Sequence, residues 1–142
     1  MYGSILSVHV INGDNLNLKR GGVPSVIVKV SIESQRQMTS IVGGNHPVWN
    51  EILTFDINNG REELILSVED RQSGEIMGTA SVSLGFFTQD EKSIDQLAKD
   101  MKVKLVGGAE GAELRLKLHW IYSKVNLLED LLDELRRVIR QT

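Results

Sequence analysis

One passage constrains this chain more than any other: Asn45 to Ile57, reading NHPVWNEILTFDI. Proline has a fixed φ and no N–H, so Pro47 suits the entry to a strand and not its middle. In the run that follows, Leu53, Phe55 and Ile57 fall on one face and Ile52, Thr54 and Asp56 on the other. An indole placed just before an apolar strand face is a core anchor, because its large surface gains most from burial. Trp49 is therefore expected to pack, not to stack on a ligand.

The rest of the chain repeats the short-strand pattern. Over 4–11, Leu6, Val8 and Val10 share one face, and Ser7, His9 and Ile11 the other. Asn12-Gly13-Asp14-Asn15 is turn chemistry. A loop over 16–25 leads to a β-branched strand with Val26, Val28, Val30 and Ile32 on one face. Further strands are expected over 37–42, through the Trp49 passage, around Leu64, Leu66 and Val68, and over 76–84. Asp70 to Glu75 forms the loop between the last two. Strands over 101–105 and 113–121 flank a glycine-rich hairpin loop, Val106 to Gly111. Eight short strands at regular spacing predict an all-β, antiparallel sandwich. Thr88 and Glu91 have capping-box spacing, with Ile94, Leu97, Ala98 and Met101 following at helical intervals. A short inserted helix is thus expected, running to about residue 100.

After the last strand the period becomes helical. Val125, Leu128, Leu132, Leu135 and Ile139 alternate at four-and-three spacing, with Leu131 and Val138 beside them. Acids (Glu129, Asp130, Asp133, Glu134) precede bases (Arg136, Arg137, Arg140), an order that suits the helix dipole. The expected organisation is a sandwich over 1–121 and an amphipathic helix over 122–142.

Composition narrows the functional classes. Hydrophobic residues make up 41% of the 142 positions, enough for a real core. A formal charge of −3 gives no footprint for nucleic acid. The absence of cysteine excludes disulfides, zinc–thiolate sites and thiol nucleophiles. No apolar run approaches membrane-spanning length, and no N-terminal targeting pattern is present. A cytoplasmic location is expected, free or peripheral to a membrane or the cytoskeleton. Catalysis has no visible machinery. The three histidines, His9, His46 and His119, lie on strands or beside a proline turn, and no nucleophile elbow, phosphate loop or metal-ligand spacing occurs. Neither a cofactor nor a bound metal is expected.

The order of several segments carries a resemblance. The first strand with its Gly-Asp-Asn-Leu exit, the Val26–Val30 strand, HPVWNE, LILSVED, and Ile76-Met77-Gly78 together resemble a C2 domain over residues 3 to 121. The chain opens on the strand that begins the circularly permuted, type II form of that fold. The resemblance implies an eight-stranded sandwich with a helix before its last two strands. It also implies a calcium site between two loops, built from several aspartates. Here the corresponding positions are Lys19, Ser25, Asp70, Gln72 and Glu75, a degenerate set. Hard cations need converging carboxylate oxygens, and an ammonium at position 19 repels them. Lys19 is expected either to pair with Asp70 or Glu75 in place of the ion, or to stand solvated.

Two surfaces remain. Lys102 and Lys104 alternate outward on one strand, and Arg115, Lys117 and His119 on the next. If these strands pair, the side chains form a basic stripe, suited to weak contact with anionic lipid or simply to solvation. The C-terminal helix presents Val125, Leu128, Leu131, Leu132, Leu135, Val138 and Ile139, a face too wide for a two-stranded seam. So short a helix must bury that face to persist, against itself, a partner or the sandwich. The expected function is a non-catalytic, calcium-independent interaction module, a scaffold or adaptor that binds protein partners and forms homo-oligomers through this helix. The alternative is a peripheral binder of anionic phospholipid, with or without calcium.

Overall fold

Side-chain alternation on each strand sorts the chain into two sheets whose apolar sides face each other. The computed structural model describes residues 4–57, 62–85, 98–122 and 124–141, with helical side chains described from Leu131 to Arg140. The strands are β1 (Ser4–Asp14), β2 (Ser25–Ile32), β3 (Gln35–Met38), β4 (Val42–Gly43), β5 (Val48–Ile57), β6 (Glu63–Asp70), β7 (Ile76–Ser83), β8 (Ala98–Lys104) and β9 (Glu113–Tyr122). Helix α1 (Lys124–Gln141) follows. One sheet runs β5-β1-β9-β8. The other runs β3-β2-β6-β7, with β4 also on β2. All of the strand pairs are antiparallel.

The core is the set that alternation predicts. Leu6, Val8 and Val10, Val28, Val30 and Ile32, Leu64, Leu66 and Val68, and Leu114, Leu116 and Leu118 are all essentially inaccessible. Trp49 is 7% exposed, and its Nε1–H donates to the Ser40 carbonyl at 3.0 Å. It packs as an anchor, as expected.

Three local expectations are corrected. The described residues contain nine strands, not eight, because the segment expected as one strand over 37–42 is two. Between them the chain leaves the ladder at Thr39, whose hydroxyl accepts from the Val28 N–H at 3.0 Å. The N–H and hydroxyl of Ser40 both donate to Glu51 on β5, at 2.9 and 2.7 Å. Second, Asn12 to Asp14 is not a turn. A bulge between Val10 and Asn12 lets β1 continue, with Gly13 opposite Leu114 and Asp14 opposite Glu113. A Cβ at position 13 would lie 2.6 Å from Leu16 Cδ1, so any larger residue would have to displace that buried side chain. Third, Ala98 to Asp100 are strand, not the end of a helix. They pair with His119, Leu118 and Lys117, and this ladder outweighs local helix propensity. The expected helix start at Thr88 lies outside the described residues. Tyr122, placed with the helix by its sequence, is the last residue of β9 and pairs with Ser4.

β5 is a sheet edge, and glutamines from the other sheet cover it. Gln35 accepts from the Asp56 N–H at 2.8 Å and donates to the Asp56 carbonyl at 2.7 Å. Gln37 Nε2 donates to the Thr54 carbonyl. The two side chains replace the strand that would otherwise pair there. The double substitution Gln35→Ala/Gln37→Ala is expected to lower stability by about 1–2 kcal/mol. It is also expected to promote aggregation; urea unfolding and static light scattering check the two effects.

Candidate functional site

β1, β6 and β8 finish, and β2, β5, β7 and β9 begin, at the same end of the sandwich. Loops 15–24, 44–47, 71–75 and 105–112 are therefore neighbours there. Loops 15–24 and 71–75, with the adjoining strand ends Ser25 and Asp70, hold the positions implied as cation ligands.

Asp70 is at the centre and is 2% exposed. Its Oδ1 accepts from the Ser25 N–H at 2.8 Å. Its Oδ2 accepts from the Ser73 hydroxyl at 2.6 Å and the Ser73 N–H at 3.0 Å. The Ser73 hydroxyl bond, then the Ser25 N–H, hold its pKa below the usual 3.8, against the opposing effect of burial. Backbone bonds complete the join: Arg71 N–H to Ser25 carbonyl at 2.8 Å, Asp70 N–H to Glu75 carbonyl at 2.9 Å. Glu75 Oε2 accepts from the backbone N–H of Lys19 at 3.3 Å. Lys19 thus meets Glu75 through its main chain. Among the described residues no carboxylate lies within ion-pair distance of its ammonium.

This donor set does not fit calcium. Both oxygens of Asp70 are already taken by protein donors, Ser25 supplies an N–H and not a ligand, and Gln72 and Lys19 offer no carboxylate. No cluster of three histidines or acids able to hold a metal occurs among the described residues. Between the loops lies an open hollow of about 460 Å³, lined in part by Arg20, Gly21, Gly22, Gln72 and Ser73. Arg20 and Arg71, both exposed here, were not singled out from the sequence. The adjacent Lys19-Arg20 pair in a glycine-rich loop was the available signal.

The five stripe residues come together as the strand pairing requires. Lys102 faces Arg115, Lys104 faces Glu113, Lys117 faces Asp100, and His119 faces Ala98. All five stripe side chains are exposed. Placing Lys102 directly opposite Arg115 opposes folding, so this pair does not serve stability. Asp100 and Glu113 interrupt the stripe. β1 extends it instead, since His9 lies opposite Lys117. That contact spans most of the chain and has no local sequence signal.

Among the described side chains of helix α1, the apolar ones are exposed. Leu131, Leu132, Leu135, Val138 and Ile139 are 50–68% exposed. The side chains of Val125 and Leu128 lie outside the described residues. The dipole complement is weaker than the order of charges suggested. The first turn holds no acid, and only Arg140 is a base in the last turn. No described helix is long and apolar enough to cross a membrane.

Known proteins share this geometry. The C2 domain family matches residues 4–98. Protein C2-DOMAIN ABA-RELATED 8 of Arabidopsis thaliana is 27% identical over 139 residues, covering 94% of this chain and 84% of that protein. That span is too long to end before α1. Mouse myoferlin is 33% identical over 88 residues, which is 56% of this chain and 4% of that much longer protein. Among solved structures, one holding the SMP domain and the paired C2 domains of Extended-Synaptotagmin 2 superposes with a TM-score of 0.73 at 23% identity. It covers 86% of this chain and 28% of that one, a likeness of fold.

Asp70→Asn puts an amide N–H₂ against donors and is expected to destabilise by about 2–3 kcal/mol at neutral pH. A carboxylate with a folded pKa below 3.8 contributes fully above that unfolded value and loses its contribution as pH falls through the folded one. Urea unfolding should show the gap between wild type and variant widest at about pH 7 and shrinking below about pH 4.

Proposed function

The chain belongs to the C2 domain family, and from that premise we propose a non-catalytic, calcium-independent interaction module that self-associates through α1. C2 domains commonly bind membranes and proteins. The observation that carries the proposal is the uncovered ridge of Leu131, Leu132, Leu135, Val138 and Ile139, each at least half exposed. Fully burying a leucine or isoleucine side chain contributes roughly 1.5–3 kcal/mol, so several such residues supply a substantial drive to associate. Leu132, Leu135 and Ile139 follow coiled-coil spacing, and Leu131 and Val138 broaden the face toward a bundle of more than two helices. Assembly would multiply weak contacts made by each sandwich. The donor set at Asp70 supports calcium independence, because its oxygens are engaged within the protein.

The test uses the full chain. Leu132→Glu/Leu135→Glu is expected to convert an oligomer to a monomer without lowering the unfolding midpoint of the sandwich. Light scattering reads the first property and circular dichroism the second. A wild-type chain that is monomeric at about 100 µM would sink self-association, since that concentration lies far above the Kd of a stable assembly.

A second reading is peripheral contact with anionic phospholipid. It is favoured by the outward Lys102–Arg115 pair flanked by Lys104, Lys117 and His119. Each such cation contributes about 1 kcal/mol near an anionic surface. Reversing two of them, Lys102→Glu/Arg115→Glu, is expected to weaken co-sedimentation with phosphatidylserine vesicles by on the order of tenfold or more. The loss should be equal in calcium and in chelator.

A further inference from the structure

On the outer face of the β5-β1-β9-β8 sheet, cations and carboxylates balance. The cations are Lys102 and Lys104 on β8 and Arg115 and Lys117 on β9, all exposed. Four carboxylates share the outward positions. Asp100 lies opposite Lys117, Glu113 opposite Lys104, Asp14 opposite Glu113, and Asp56 opposite Ile5. While its imidazoles are neutral, the face therefore carries no net charge. Such a face exerts little long-range pull on an anionic surface, whatever its local cations can touch. His9 and His119 are the remaining titratable groups at its described outward positions.

The strand register sets both imidazoles among the cations. His9 lies between Lys117 on β9 and Ile52 on β5. His119 lies between Ser7 on β1 and Ala98 on β8, one outward position along β9 from Lys117. The two histidines are thus diagonal neighbours on adjacent strands. Asp100 is diagonal to His119 but directly faces Lys117. Among the described residues, no carboxylate lies within ion-pair distance of either imidazole. Imidazole is the side chain whose charge ordinarily changes between about pH 5 and pH 8. Protonating both histidines would add two positive charges to a face whose other charges cancel. The third histidine of the chain, His46, stands at the loop end with its Nδ1 3.3 Å from Asp14 Oδ1. Ile52 and Ile121, 62% and 41% exposed, border the histidines. They supply apolar contact that a membrane surface uses and a small soluble anion does not.

We propose that this sheet face docks on an anionic membrane surface in an acid-strengthened manner, with His9 and His119 turning a balanced face into a cationic one. The inference rests on the phospholipid reading above and adds its regulation. Lys102, Arg115 and Lys117 provide standing contacts, and the two histidines set the net charge around them. The coupling is reciprocal: an anionic surface favours the protonated imidazoles as they favour it.

The experiment co-sediments the full chain, in EDTA, with phosphatidylcholine vesicles containing phosphatidylserine, at about pH 7.5 and about pH 5.5. Affinity should rise on the order of tenfold at the lower pH, as expected for two added cations near such a surface. His9→Gln/His119→Gln should bind like wild type at the higher pH and lose most of the rise. His46→Gln should keep it. Circular dichroism at the lower pH checks that each protein is folded, and the two single variants replace the double one if it is not. Vesicles of phosphatidylcholine alone should take up none of the chain at either pH. Three results would overturn the histidine inference alone: a rise undiminished in the histidine variants, an equal rise toward phosphatidylcholine alone, or binding that Lys102→Glu/Arg115→Glu abolishes but pH does not alter. Absence of binding at both pH values, or binding indifferent to that charge reversal, would instead sink the phospholipid reading and this inference with it.

Discussion

β1 is hydrogen-bonded on both edges, to β5 on one side and β9 on the other. The rest of the sandwich depends on this double ladder. It joins the first strand to the last, Ser4 to Tyr122, and seats the Trp49 strand on its other flank. Its bulge at Ile11 carries the strand on through Asn12 to Asp14, positions that read as a turn, and delivers Gly13 and Asp14 to the loop end. Pairing across so much sequence closes large loops before its reward arrives, so folding should be governed by this strand more than by any local hairpin.

What could be read from the residues, and what could not, follows the reach of each interaction. The alternating faces of β1, β5, β6 and β9 are local signals, and their burial matches them residue for residue. Trp49 declared itself through Pro47 and the apolar run behind it. The split of 37–42 into β3 and β4 did not, because it depends on Ser40 meeting Glu51 and Trp49 of the facing sheet. Ala98 illustrates the opposite failure: its spacing from Leu97 and Met101 is helical, yet β9 claims it. At the loop end the departures from an acidic ligand set were visible in Lys19 and Ser25. The internal use of Asp70 was not, since it rests on two serines, one of them forty-five residues away.

Asp70 ties the two loops together from within the protein. A buried carboxylate needs partners, and here Ser25 and Ser73 provide them within the chain. The loops gain a fixed join. Lys19, Arg20 and Arg71 then face solvent without a counter-charge within ion-pair range among the described residues.

The glutamine cover on β5 has a consequence at high local concentration. A strand edge with free N–H and carbonyl groups recruits any like strand brought near it. Gln35 and Gln37 present amides of the same polarity as a backbone but cannot propagate a further strand. Copies of the chain brought close together would therefore not join through the Thr54–Asp56 stretch of β5.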